Sequence, residues 1–370
     1  MDFTRTEDQQ AIASLAYQVF GDYATAERIK HVETSDERVD RALWKALAET
    51  GLLGIPLPED CGGGGMGFAE VALILEEQGR RVAPVPLLET VVLGAMPIAE
   101  FGTREQRSAW LPGVVTGDII LTGALEALGA DIMTPPVEAA AVGRAWRLTG
   151  ELIGVPAAHI AARILVPARS PEGVGIWLVD PDGPGIERES AETTNREYHS
   201  YLSLDQAEAE LLGDHVGGEA MLRWVLDRAL VAVSAVQVGV TAEAVRIAAD
   251  YTSKRQQFGR PLSTFQGVAM RAADSYIDNE AMRVTMQRAA WLLSTGRDAS
   301  TAVEISKWWA SEAGHRIVYQ TQYLQGGMGS DIDYPSHRYF IWGMQLAGMF
   351  GGGAYHLSVL GRRLAAERVS

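Results

Sequence analysis

From residue 219 onward the chain is dominated by one period. Apolar side chains recur at helical spacing over 219–252, 264–293, 301–324, 336–346 and 354–367. The first two runs exceed about 25 residues, too long for ordinary single helices and suited to a bundle that buries one face of each. The longest apolar stretch, 229–245, is interrupted by Ser234, Gln237, Thr241 and Glu243. Those polar groups predict a helix buried in protein, not one facing lipid. Gly239 lies in this run. A glycine inside a helix costs about 1 kcal/mol relative to alanine, so the sequence predicts close helix packing there, between subunits of an oligomer.

The preceding residues read differently. Across 118–215, short β-branched runs (IILTGAL, AAAVGRAWRLTGEL, AARILVPAR, GVGIWLVDP, YHSYLSLDQAEAELL) alternate with Gly- and Pro-marked turns, predicting a small β-domain. Before that, Thr4 with Glu7 suggests a capping box for a first helix. DRALWKALA predicts a second helix stopped by Gly51, and 68–80 and 104–111 predict two more. VAPVPLLET is read as a turn into the next helix. The loop PLPEDCGGGGMG holds two prolines and five glycines in twelve residues, which demands unusual dihedrals. The predicted organisation is an N-terminal helical domain (1–116), a middle β-barrel or sandwich (117–215) and a C-terminal four-helix bundle (216–370).

Composition excludes several roles. Net charge is −15 and no basic run occurs, which argues against a nucleic-acid or anionic membrane surface. Cys61 is the single cysteine, so no internal disulfide can form and a reducing, cytoplasmic setting is expected. The first ten residues are polar, without an apolar signal core. No metal-ligand cluster is predicted.

The string RQQFGRPL (255–262), followed by Phe265 and Gln266, sits between the two longest helical runs. A guanidinium can grip phosphate bidentately, and a helix N-terminus adds N–H groups and positive dipole charge. This string resembles the R-x-x-F-G-x-P…FQ signature of the acyl-CoA dehydrogenase family. PEDCGGGGMGFAEVALILEEQGR is similar to that family's P-E-x-x-G-G-x-G segment, and QYLQGGMGSDIDYP to its Q-x-x-G-G-x-G…YP segment. The order helical domain, β-domain, bundle matches too. The resemblance implies FAD, held largely by a neighbouring subunit. Arg255 would neutralise the pyrophosphate, and Gln256 and Gln257 would bond phosphate or ribose. Phe258 would pack on the cofactor edge beside Phe265, with Gln266 donating amide bonds. Gly326 and Gly327 would allow backbone approach. The family glutamine falls on Tyr323, flanked by Gln322 and Gln325, and which glutamine reaches the cofactor stays open.

The family's chemistry needs a glutamate to remove the proton next to a thioester carbonyl. Ungapped counting places its two known sites at Phe350 and at Ala229, neither of which accepts a proton. Asp227 is the nearest acid to Ala229, but residues two apart on a helix do not share a face. Its expected role is a pair with Arg223. The flavin-ring segments are degenerate as well: LEALGAD (125–131) replaces the family's T-E-P-x-A-G-S-D, and VPAAH (155–159) replaces its W-I-T strand. His159 is read as structural. What would serve the chain's own flavin ring is lost, while what would serve a neighbour's FAD remains. The resemblance thus extends to the companion subunit of α2β2 steroid-side-chain dehydrogenases. It implies a catalytic α partner that holds the acyl-CoA, FAD shared across the interface, and electron-transfer flavoprotein as oxidant. Two alternatives stay open: a self-sufficient homotetrameric dehydrogenase with a displaced base, and a non-enzymatic scaffold without flavin.

Overall fold

The computed structural model describes residues 4–127, 131–143 and 145–367. The N-terminal helices are α1 (Glu7–Tyr23), α2 (Ala26–Val32), α3 (Arg41–Glu49), α4 (Phe68–Arg81), α5 (Met96–Phe101) and α6 (Arg104–Val115), with a π-helix at Leu88–Ala95. Three local expectations are corrected. The capping box is formed by Thr6 and Gln9, two residues later than Thr4 and Glu7, because Thr6 reaches the Gln9 N–H and Gln9 returns the bond. The end of VAPVPLLET enters the π-helix, since its apolar residues are buried on all sides. A charged, exposed strand, Ile186–Glu192, was not anticipated because it carries no apolar face.

The strands are β1 (Leu121–Gly123), β2 (Glu138–Val142), β3 (Ala145–Pro156), β4 (Arg163–Ser170), β5 (Gly173–Val179), β6 (Ile186–Glu192) and β7 (Tyr198–Leu211). Pairing runs β4-β2-β3-β7-β5 and returns from β5 to β4, so five strands close on themselves. β1 extends this ring parallel to β4, and β6 hangs on β7. Closure removes free edges, and Leu148, Val166, Trp177 and Leu202 fill the interior.

The C-terminal elements are α7 (Gly218–Lys254), a two-residue hairpin β8 (Gln256–Gln257) and β9 (Arg260–Pro261), α8 (Gln266–Ser294), α9 (Ser300–Gln325), α10 (Ser336–Gly348) and α11 (Gly353–Glu367). By composition α7 could cross a membrane, but its apolar window is 78% buried in protein.

By contacts the chain forms two units. Unit one takes the residues up to 26, 72–83 and 230 onward; unit two takes 27–71 and 84–229. In unit one, Gln237 of α7 donates to the Gly343 carbonyl of α10 at 3.1 Å, and Thr241 donates to Asn279 of α8 at 2.7 Å. Gln237 and Thr241 are therefore inter-helix ties, while Ser234 donates to the Leu230 carbonyl and Glu243 pairs with Arg246 within α7. Gly239 proves to serve the chain itself. A Cβ there would lie 1.9 Å from the Glu76 carbonyl oxygen of α4, so the close approach is intrachain.

Candidate cofactor-binding site

The 255–262 motif folds as predicted, between two long helices. α7 ends with the Arg255 N–H on the Tyr251 carbonyl at 2.8 Å. The chain then reverses through Phe258 (φ 54°) and Gly259 (φ 76°), and Gln257 pairs with Arg260. The reversal drives Phe258 outward to 91% exposure, with its ring edge-on to Phe265 at 6.1 Å. Arg260 lies over the Phe265 ring at 4.1 Å, a cation–π contact that fixes the corner. Arg255, Gln256, Gln257 and Gln266 are exposed. Phe265 stands at the N-cap of α8 and cannot cap it with a side chain. The corner therefore presents an uncapped helix N-terminus beside a guanidinium, the arrangement that binds phosphate.

The glycine segment closes α9. Gly326 adopts φ 57°, ψ −138°, a conformation only glycine adopts readily. Built Cβ atoms on Gly326 and Gly327 would meet nothing within 4 Å, so backbone there is open to a ligand. The three candidates flanking it separate cleanly. Gln322 donates to the Gly329 carbonyl at 3.0 Å and is committed to its own turn. Tyr323 is exposed, under the guanidinium of Arg271 at 4.8 Å. Gln325 is 2% exposed, and neither its amide nitrogen nor its amide oxygen has a partner among the described residues. A buried amide left unpaired costs about 1–3 kcal/mol, so Gln325 is the polar group here that lacks a structural reason. Tyr251 meets Tyr334 edge-on at 6.4 Å, and Arg271 joins α8 to Tyr323 and to Gln320 (2.6 Å). The motif corner and the glycine segment are thus linked parts of unit one. An unpartnered amide, open glycines and an exposed guanidinium at an uncapped helix end suit the phosphates and amide-reading groups of a dinucleotide.

The expected base positions hold no base. Phe350 is fully buried with φ 56°, and Ala229 is fully buried in α7. Asp227 stands 4.0 Å from Arg223, as an i,i+4 neighbour. Beneath Phe350 lies a polar cluster that sequence reasoning missed. His356 Nε2 faces the Phe350 carbonyl at 3.0 Å and Nδ1 faces the Glu304 carboxylate at 2.7 Å, all three residues buried. Fully buried Lys307 donates to Ser311 (2.7 Å) and to the Ala347 carbonyl (3.2 Å) at the end of α10. No motif marks these residues. Their signal was polar groups on the apolar stripe of 301–324.

In unit two, the VPAAH segment lines a recess with Glu37, Arg38, Glu89, Glu197, Tyr198 and His199. His159 Nε2 lies 2.9 Å from the Glu37 carbonyl, and its ring packs edge-on against Tyr198, consistent with a structural role. The cavity proper is about 20 Å³, room for about one water. Of the LEALGAD stretch, residues 128–130 lie outside the described residues; Glu126 and Asp131 line a separate, larger groove.

Comparison with known proteins now adds to the geometry. Residues 6–118 match the acyl-CoA dehydrogenase N-terminal domain, and 217–365 the acyl-CoA dehydrogenase C-terminal domain. The chain belongs to the acyl-CoA dehydrogenase family. FadE27 of Mycobacterium tuberculosis is 35% identical over 99% of both chains. Among solved structures, a variant of the Tcur3481-Tcur3483 steroid ACAD superposes with a TM-score of 0.94 at 47% identity, covering 98% of this chain and 99% of that one. A chain of the ChsE4-ChsE5 complex from Mycobacterium tuberculosis gives 0.93 at 35% identity and 99% coverage of both. For this acyl-CoA dehydrogenase, the expected fold of helical ends around a central β-region is borne out.

Proposed function

We propose that this chain is the non-catalytic companion subunit of a heterotetrameric, FAD-dependent acyl-CoA dehydrogenase. The carrying observation is the pairing of absence and retention. Phe350 and Ala229 fill both base positions, while Arg255, Gln325, Gly326 and Gly327 stay available for a cofactor. In this reading Arg255 and the α8 N-terminus hold the pyrophosphate, with Gln256, Gln257 and Gln266 bonding phosphate or ribose. Phe258 and Phe265 wall the cofactor edge, Tyr323 borders it, Gln325 reads it by its amide, and Gly326 and Gly327 let backbone approach. FAD, when bound, supplies the hydride acceptor for α,β-desaturation of a thioester. The base and the acyl-CoA sit in the partner.

Several features support a partner at this end of the bundle. Phe258, Tyr319 and Tyr323 are exposed, as are Met270, Tyr276, Ile277 and Val284 of α8. Apolar patches of this kind mark protein interfaces. The named relatives are a steroid ACAD and a two-protein complex, which favours a steroid-side-chain thioester, an α2β2 assembly and electron-transfer flavoprotein as oxidant, in the cytoplasm. The three-part division at 116 and 215 belongs to the same proposal.

The test is flavin content and mass of the chain expressed alone and with a glutamate-bearing dehydrogenase subunit of the same family. A colourless chain alone, and a yellow heterotetramer with one FAD per pair, is expected. A yellow homotetramer with one FAD per chain would overturn the reading.

A further inference from the structure

The recess beside VPAAH gathers more unusual chemistry than any other part of unit two. Glu89 projects from the π-helix, a rare backbone form that recurs at functional sites. Glu197 faces it from the residue before β7, His199 from the start of β7, His159 from the loop after β3, and Glu37 and Arg38 from the segment before α3. Three non-glycine residues in or beside its wall adopt left-handed backbone: Arg38 (φ 56°), Ala157 (φ 52°) and Arg196 (φ 68°). Each such residue costs of order 1–3 kcal/mol unless its surroundings hold it there.

Every nearby cation is matched elsewhere. Arg38 donates to Glu192 at 2.8 Å and lies over the Tyr198 ring. Arg41 pairs with Glu37 at 2.6 Å, Arg188 with Asp182 at 3.1 Å, and Arg196 with Glu33 at 3.7 Å. Among the described residues, none of these guanidiniums pairs with Glu89 or Glu197. Glu197 receives one neutral hydrogen bond, from Asn195 at 2.6 Å. Two carboxylates in a cavity for about one water, without a counter-charge, cannot both remain ionised cheaply.

We propose that Glu89 and Glu197 both stand protonated at neutral pH, which keeps this recess uncharged, and that their ionisation opens it. Unit two is then a pH-responsive element, a property independent of the companion-subunit reading. Desolvation pushes Glu89 up to about 8, with the charge of Glu197 adding to it, and desolvation pushes Glu197 up to about 7. The imidazoles supply no compensating charge, because burial lowers His159 and pushes His199 down to about 4. Folded values above the ordinary carboxylate range mean that the pair's stabilisation is complete below about pH 4.5. It is lost as pH rises through about 7 and 8.

The experiment is an infrared titration of the full chain combined with its thermal midpoint from pH 6 to 9. Parent, Glu89→Gln and Glu197→Gln are compared. A protonated-carboxyl band at pH 7 that fades by pH 9 is expected in the parent and is diminished in each variant. The parent midpoint should fall across this range, and each glutamine variant should flatten the fall while matching the parent at pH 6. The same slope in all three proteins, or no protonated carboxyl at pH 7, overturns the proposal. Should the variants fail to fold, the parent's infrared titration alone decides it.

Discussion

Replacing Glu304 with alanine tests whether the buried cluster under Phe350 holds the loop that carries this proposed base position. The carboxylate is buried and meets His356 Nδ1 at 2.7 Å; Arg363 stands 3.7 Å from its other oxygen and is a quarter exposed. The opposite ring nitrogen faces the Phe350 carbonyl, a pure acceptor. Nε2 must therefore donate to it, and the imidazole, held by Glu304 through Nδ1, bridges α9 to the loop before α11. Removing one partner of a buried pair costs about 3–5 kcal/mol, because the other is left buried without compensation. The Arg363 contact adds little at that distance and exposure. For a chain of 370 residues the unfolding entropy is roughly 0.8 kcal/mol/K, so the melting midpoint should fall by about 4–6 °C. Calorimetry on Glu304→Ala, His356→Leu and the double variant checks the reasoning. The double variant should lose clearly less than the sum of the singles, since each single already breaks the bridge. A Glu304→Ala shift near 1 °C, or strictly additive losses, would refute it.

Four further outcomes are expected. Arg255→Ala should weaken FAD retention in the assembled complex by about 10- to 100-fold, the worth of a charge-assisted phosphate contact, with an unchanged midpoint for the chain alone; flavin release on gel filtration reads it. Gln325→Leu should raise the midpoint of the chain alone, because it removes an unpaired buried amide, yet lower flavin retention in the complex. Gly239→Ala should cost about 2–3 kcal/mol or more in denaturant titration, since its Cβ would lie 1.9 Å from the Glu76 oxygen. His199 is held down to about 4 by burial, so its stabilisation is present above about pH 6.5 and lost as pH falls through 4. A His199→Gln variant should show a shallower acid limb in the same titration.

The parts of this molecule that were legible in the sequence are those with local causes. The 3.6-residue period fixed the bundle helices because each must bury one face, and Gly259 with Pro261 marked the corner because few residues turn there. The strand β6 escaped because its neighbours are solvent, not core, so no apolar alternation was required of it. The π-helix was read as a turn because proline spacing speaks only for the local chain. What stabilises the π-helix is burial of Leu88 and Val91–Ala95 by segments distant in sequence. The same limit hid Glu89. A single acid in the apolar run 82–98 was visible, but Glu197, the acid whose charge acts on it, lies more than a hundred residues away just before β7. Gly239 shows the converse error: the sequence signalled close packing and pointed to another subunit, whereas the partner is α4 of the same chain. Phe350 joins both cases. Its identity alone removed a base from the family's site. Only the fold reveals that the residue holds a left-handed backbone, with its carbonyl on a buried histidine. On the companion-subunit proposal, the missing base and the fixed loop belong to one change of function, because the same residue carries both.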